Sequence, residues 1–176
     1  MAVDMFLKIE GIDGESTDDK HPKWIEIDSY SHGVSQPVSG ASRTGGRTGG
    51  RADFQDFIIV KTVDASTPDL HLHCCNGKHI PKIEIECCLA TGDKHVFMKY
   101  EMEYVIVSAI TAGGNAQEVR PMETVSFAYG KIKWEYTPID QTGAAGASSD
   151  RTWDLERTSR PDAPANGAWV CSMRNA

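Results

Sequence analysis

No run of this sequence approaches the 18 or more consecutive apolar residues that a membrane-crossing helix needs. An excess of basic charge is also missing. The 18 Lys and Arg are outnumbered by 25 Asp and Glu, for a formal net charge of −7. A nucleic-acid binder draws its affinity from neutralised phosphates, and an anionic membrane surface attracts cations, so both partner classes are disfavoured. Cysteines are few and badly arranged for disulfides. There are five, an odd number, and Cys74, Cys75, Cys87 and Cys88 stand as adjacent pairs, which fits a reducing cytoplasm. The opening MAVDMFLKIEG lacks the apolar core of a leader peptide, because Asp4 and Lys8 interrupt it. It is expected to form a first strand, and a chain that leaves the cell would do so without a cleaved signal peptide.

What is present is alternation. With 40% hydrophobic and 24% charged residues, the composition suits one soluble domain. Met5, Leu7 and Ile9 share one face of the first strand. Residues 12–22 read as a loop. Residues 23–34 read as a second strand, with Ile25, Ile27, Ser29 and Ser31 facing one way. Residues 35–52, rich in Gly, Ser and Arg, read as an extended flexible loop. A strand is expected over residues 54–62, with Phe57 and Ile59 on one face. Ser66 or Thr67 can cap a helix, Pro68 suits its first position, and Asn76-Gly77 supplies its stop.

Three longer strands follow. Ile83, Ile85, Cys87 and Leu89 alternate with Lys82, Glu84, Glu86 and Cys88. Met98, Tyr100, Met102, Tyr104 and Ile106 alternate with Lys99, Glu101 and Glu103. Val125, Phe127 and Tyr129 shift phase near Gly130, so that Ile132, Trp134 and Tyr136 take over, as at a bulge. Residues 140–149 read as a linker and residues 152–156 as a last short strand. Six or more strands with one short helix predict a mainly β domain, a β-barrel or sandwich.

Candidate chemistry is sparse. His71, His73, Cys74 and Cys75 lack the Cys-x-x-Cys spacing of a metal site, and Cys87 and Cys88 face opposite sides of a strand. Small buried hydrophobes are the better reading of Cys74 and Cys87. A cysteine nucleophile would need a positioned histidine, and His73 and His79 are near only in sequence. The pairs Glu84/Glu86 and Glu101/Glu103 lie on polar strand faces, which suits a solvated surface better than acid–base work. The Gly/Arg-rich run at 45–51 lacks a Walker ending, and no Gly-x-Ser-x-Gly motif occurs. No catalytic residue, metal ligand or cofactor site is assigned, and the chain is not expected to be an enzyme.

Several blocks, in order, resemble one family. They are MAVDMFLKIEGIDGES with His21 after it, DASTPDLHLHCCNGKH (64–79), PMETVSFAYGKIKWEYTP (121–138) and TWDLE (152–156). Together they resemble the Hcp proteins, the haemolysin-coregulated proteins of bacterial type VI secretion, over roughly residues 1–157. One departure is Tyr30-Ser31-His32-Gly33, where many members carry Trp-Ser-Trp-Gly.

The resemblance implies a small β-barrel of two antiparallel sheets with one short flanking α-helix at 1–157; residues 158–176 lie beyond it, hold two Pro and no periodicity, and are expected to form a flexible C-terminal tail. About twenty residues after TWDLE are too few for a fused toxin domain. It implies a homohexameric ring. Rings stack into an inner tube, surrounded by a sheath and capped by a spike protein of the VgrG type, with effector proteins in the lumen. The chain would be made in the bacterial cytoplasm and then secreted. Arg43, Arg47 and Arg51 recur every fourth residue, with Thr48 among them, and are the candidates for contacts between stacked rings. Ser29, Ser31, Lys99, Glu101 and Glu103 are the candidates for a lumen-facing surface. A different class of function is a small monomeric β-barrel that binds a ligand or chaperones a secreted partner. Mass in solution separates the two.

Overall fold

The fold is given by a computed structural model, which describes residues 3–38, 50–90, 94–115, 120–140 and 145–157. The elements in chain order are β1 (Val3–Ile9), β2 (Ile25–Glu26), β3 (Ser29–Ser31), β4 (Val34–Ser35), β5 (Asp53–Phe54), β6 (Phe57–Thr62), α1 (Thr67–Asn76), β7 (Ile80–Leu89), β8 (Val96–Gly113), β9 (Met122–Ala128), β10 (Lys131–Tyr136) and β11 (Ser149–Asp154). All described pairings between strands are antiparallel.

Two half-sheets meet in the long β8. Its first half lies between β7 and β10, and beyond them come β1 and β2 on one side and β11 on the other. Its second half pairs with β9, followed by β6 and β3. The ladder runs β2-β1-β7-β8-β9-β6-β3 and does not close as a barrel, because its edge strands β2 and β3, successive pieces of one segment, do not pair with each other. That segment leans on both edges. Ile27 N donates to Met5 O on β1, and Asp28 N donates to Val60 O on β6.

This crossing corrects the expectation of one strand over residues 23–34. Ile25 and Ile27 are buried, but the phase switches at Asp28, and beyond it Tyr30 turns inward while Ser29 and Ser31 face out. Tyr30 stacks on Phe57 with ring centroids 5.5 Å apart, and its hydroxyl lies 3.1 Å from that of Tyr100. The inner faces of both half-sheets then share one core. Leu7, Ile83, Ile85, Met102 and Ile132 come from one, and Phe57, Ile59, Val125 and Phe127 from the other. Each such side chain contributes about 1.5–3 kcal/mol by leaving water.

A second correction concerns β8. Its alternation continues to Met102 and then shifts: Tyr104 has φ 57° and is exposed, while Val105 and Val107 are buried. Gly130 N donates to Glu103 O at the same level, so β8 and the β9–β10 connection bend together where the half-sheets part. The phase shift expected at Gly130 therefore has a partner at Tyr104, which the sequence reading placed on the Met102 face.

The expected strand over residues 54–62 is broken before Phe57, and its first part pairs with β4. Helix α1 packs against β8 with Leu70 buried, and Gly77 ends it in the left-handed conformation at φ 61°. Neither Ser66 nor Thr67 caps α1 with its side chain as expected. The Ser66 hydroxyl donates to Asp64, and Asp64 N donates to the Thr67 hydroxyl. The expected linker at 140–149 connects two antiparallel strands, β10 and β11, and a bridge between Ile139 and Ala145 extends their pairing; residues 141–144 lie outside the described residues. Among the described residues no helix is long and apolar enough to cross a membrane. The tail at 158–176 lies outside the described residues.

Candidate functional site

The outer face of the β7–β8–β10 half-sheet carries a lattice of charges. Glu84 stands directly opposite Glu101, an arrangement that repels unless a cation intervenes. Two lysines intervene. Lys99 Nζ lies 2.9 Å from Glu84, 3.0 Å from Glu86 and 3.5 Å from Glu101. Lys82 Nζ lies 2.7 Å from Glu84 and 3.4 Å from Glu101. Burial works against the charge on Lys99, yet the Glu84 and Glu86 carboxylates hold its ammonium well above its usual pKa. Further along, Lys131 bonds Glu103 at 3.0 Å, and Lys133 bonds Glu135 at 3.2 Å.

The candidate surface residues therefore separate. Lys99, Glu101 and Glu103 sit together on β8, within this lattice. Ser29 and Ser31 project from β3, in the other half-sheet. Each set points away from the shared core, so the five belong to two different outer surfaces. Tyr30 and His32 of the departed Tyr-Ser-His-Gly stretch face inward. His32 stacks on Phe57 at 5.4 Å and meets the Tyr129 hydroxyl at 3.2 Å, so the departure bears on packing.

The Gly/Arg-rich segment grows from a built stalk. Val34 pairs with Phe54 and Ser35 with Asp53, and Gly50 N donates to Pro37 O at 2.8 Å. The Gln36 side-chain amide donates to Gly50 O. Phe54 stacks on Trp153 at 6.2 Å, which fixes the stalk against β11. The expectation of a loop without structure over 35–52 is thus corrected at both ends. Arg51 donates to Leu155 O at 3.0 Å, so this candidate is anchored on its own domain. Arg43, Arg47 and Thr48 lie outside the described residues.

Residues 12–22, polar in sequence, fold as a flap over the outer face of β1 and β7. Gly14 N donates to Lys23 O, and Ser16 N to Trp24 O. A Cβ on Gly14 would stand 2.4 Å from Trp24 O, so only glycine permits this approach. The flap buries His21, whose ring stacks on Phe6 at 4.2 Å and meets the edge of Trp24 at 4.8 Å. His21 Nδ1 lies 3.0 Å from Asp18 Oδ1, and Nε2 lies 2.9 Å from Glu86 Oε2 and 3.9 Å from Cys88 Sγ. Lys94 closes on Asp18, and together with His21 it holds that carboxyl far below the usual range. Burial, with the charge of Glu86, pushes the Cys88 thiol up to about 11. Sequence reasoning missed this cluster. His21 and Glu86 are 65 residues apart, and no spacing motif joins them.

Among the described residues the other histidines and cysteines form no further cluster. His71 Nδ1 lies 3.0 Å from Thr67 O, and His73 Nδ1 lies 2.7 Å from Asp69 O, both within their own helix. Cys75 is exposed, Cys74 half-buried and Cys87 buried.

Among the described residues these features define a mainly β protein of two half-sheets with one flanking helix, a paired β4–β5 stalk and a charged outer face. Residues 6–136 match the family described as "Type VI secretion system effector, Hcp", and the chain belongs to that family. It is 36% identical to the protein hcp1 of Pseudomonas aeruginosa over 159 residues, covering 89% of this chain and 98% of that one. Among solved structures, a type six secretion system protein superposes with a TM-score of 0.84 at 36% identity, covering 88% of this chain and 96% of that chain. Hcp1 from Salmonella typhimurium does so with a TM-score of 0.73 at 31% identity, with the same coverages.

Proposed function

We propose that this chain is a tube subunit of a bacterial type VI secretion system. Six copies close into a ring, and rings stack into an inner tube enclosed by a sheath and capped by a VgrG-type spike protein. Effector proteins ride in the lumen, and the subunit itself is exported from the cytoplasm. The carrying observation is that the family match, residues 6–136, runs from β1 through β10 and so through both half-sheets.

Two features of the chain support the assembly. The half-exposed charge lattice is a wet surface suited to a lumen or a ring exterior. Between the paired stalk strands β4 and β5 the sequence carries Arg43, Arg47 and Thr48, in a chain of net charge −7. Ordering a Gly-rich segment costs entropy, which a partner surface can offset. Arginines there pair with carboxylates of the next ring and set the stacking register.

The test is to replace residues 40–50 with a short Gly-Ser linker and to follow ring mass, tube formation by electron microscopy, and export. Rings persist, because both half-sheets are untouched, while stacking and export fall. High salt weakens stacking of the parent protein, since exposed pairs are screened. A shortened protein that stacks and is exported like the parent overturns this role for the arm.

A further inference from the structure

We propose that His21, Glu86 and Cys88 form a binding site for a thiophilic divalent cation of the zinc class, with Asp18 as the carboxylate that orients the histidine. The three ligand atoms lie within 4.8 Å of one another, under the flap and away from the main core.

Both ring nitrogens of His21 face a carboxylate oxygen, Nδ1 at 3.0 Å and Nε2 at 2.9 Å. A ring with one proton satisfies one of these contacts and presents a lone pair to an anion at the other. With Nδ1 held by Asp18, Nε2 and Glu86 Oε2 face each other as two electron donors that a cation can bridge. Asp18 fixes which nitrogen is free. It accepts the backbone N–H of Lys20 at 3.0 Å and that of His21 at 3.1 Å, and it pairs with Lys94. A carboxylate holding Nδ1 while Nε2 points at other donors is the arrangement found behind metal-bound histidines. Phe6 and Trp24 lock the ring plane, so little entropy remains to be lost on binding.

The donor distances suit a small ion. Zinc ligated at about 2.0–2.1 Å by nitrogen and oxygen and about 2.3 Å by sulfur sets tetrahedral N···S and N···O separations of roughly 3.6 and 3.4 Å. The structure has 3.9 Å between Nε2 and Sγ and 2.9 Å between Nε2 and Oε2. Closing the first and opening the second takes a few tenths of an ångström, and the third pair, Glu86 Oε and Cys88 Sγ, lies within 4.8 Å and draws in as the Glu86 side chain turns. Cys87 cannot join, because it faces the core from the other side of β7.

Access lies on the Glu86 side. That carboxylate is 15% exposed and holds Lys99 on its other oxygen. Lys99 has somewhere else to go, since Glu84 and Glu101 already stand within 2.9 and 3.5 Å. Binding therefore displaces one proton from the Cys88 thiol and any proton shared at Nε2, and it leaves a fourth position for water. The site is independent of the tube reading.

The experiment is a Co²⁺ titration of the full-length, EDTA-treated protein, read by the thiolate-to-cobalt charge-transfer absorption and followed by Zn²⁺ displacement. One equivalent per chain is expected. The band is lost in Cys88→Ser and retained in Cys75→Ser, and affinity falls at least tenfold in Glu86→Gln with the band intact. That last variant serves if Cys88→Ser does not fold. Absence of a charge-transfer band, or an unchanged band in Cys88→Ser, or unchanged affinity in Glu86→Gln, overturns the site.

Discussion

Lys61 Nζ lies 2.8 Å from Glu123 Oε1, directly across the β6–β9 ladder, with both side chains shut off from solvent. Asp64 approaches the same ammonium at 2.6 Å, and the Thr67 hydroxyl donates to Glu123. This network ties the start of α1 to the end of the sheet. Removing one member leaves an unpaired buried charge, so Lys61→Met is expected to lower unfolding free energy by about 3–5 kcal/mol in denaturant titrations at fixed protein concentration. Adding Glu123→Leu should recover part of that loss. A single variant as stable as the parent would show that the pair is not needed.

Gly130 faces Tyr104 where the half-sheets part. A Cβ on Gly130 would stand 3.2 Å from the Tyr104 Cβ, within a bend that Gly130 N closes by donating to Glu103 O. Gly130→Ala should therefore cost about 1 kcal/mol or more in thermal unfolding. Tyr104 holds φ 57°, a conformation that asparagine tolerates better. Tyr104→Asn should leave stability of the isolated domain unchanged or raised, and a clear fall would contradict that.

Acid should act in two stages. Burial holds His32 below the ordinary histidine value, opposed by a bond with Gln55, and the neighbouring Tyr129 carries no charge there. The unfolded chain then takes up the extra proton first. Stability is full above about pH 6.5 and falls as the pH drops below it. Asp18 has the opposite origin and the same direction. Lys94 and His21 lower its pKa, so its contribution holds above about pH 3.8 and is lost on further acidification. Stability measured against pH in His32→Phe should lack the upper stage and keep the lower one.

Thiol labelling should follow exposure. Site-resolved alkylation of the native protein is expected to modify Cys75 fast and Cys74 more slowly. Cys87 and Cys88 should resist, since they are buried and burial raises both thiols. Rapid native labelling of Cys88 would mean that the 12–22 flap opens readily.

Much of the fold was legible where alternation is strict. β7, β9 and α1 follow from Ile83, Ile85 and Cys87, from Val125 and Phe127, and from Pro68 with Gly77. Legibility failed where a strand changes its face. Nothing in the composition marks Asp28 as a crossing point, and a tyrosine at position 104 gives no hint of positive φ. Gly14, Asp18, Asp19 and Pro22 mark residues 12–22 as a loop, and nothing in that composition shows that Ile12, Ser16 and His21 are buried or that His21 packs between Phe6 and Trp24. The His21–Glu86–Cys88 cluster is a product of the β1–β7 register, which sets Cys88 beside Asp4 and Glu86 beside Phe6. Such a cluster is invisible without the fold. The serines and the β8 charges were grouped by polarity, and the topology divides them between half-sheets.

Native mass spectrometry of the full-length protein at micromolar concentration tests the tube proposal most directly. Closed rotational contacts give a dominant species of six times the 19.3 kDa chain. A spectrum holding monomer or dimer alone would contradict it and favour a small monomeric carrier.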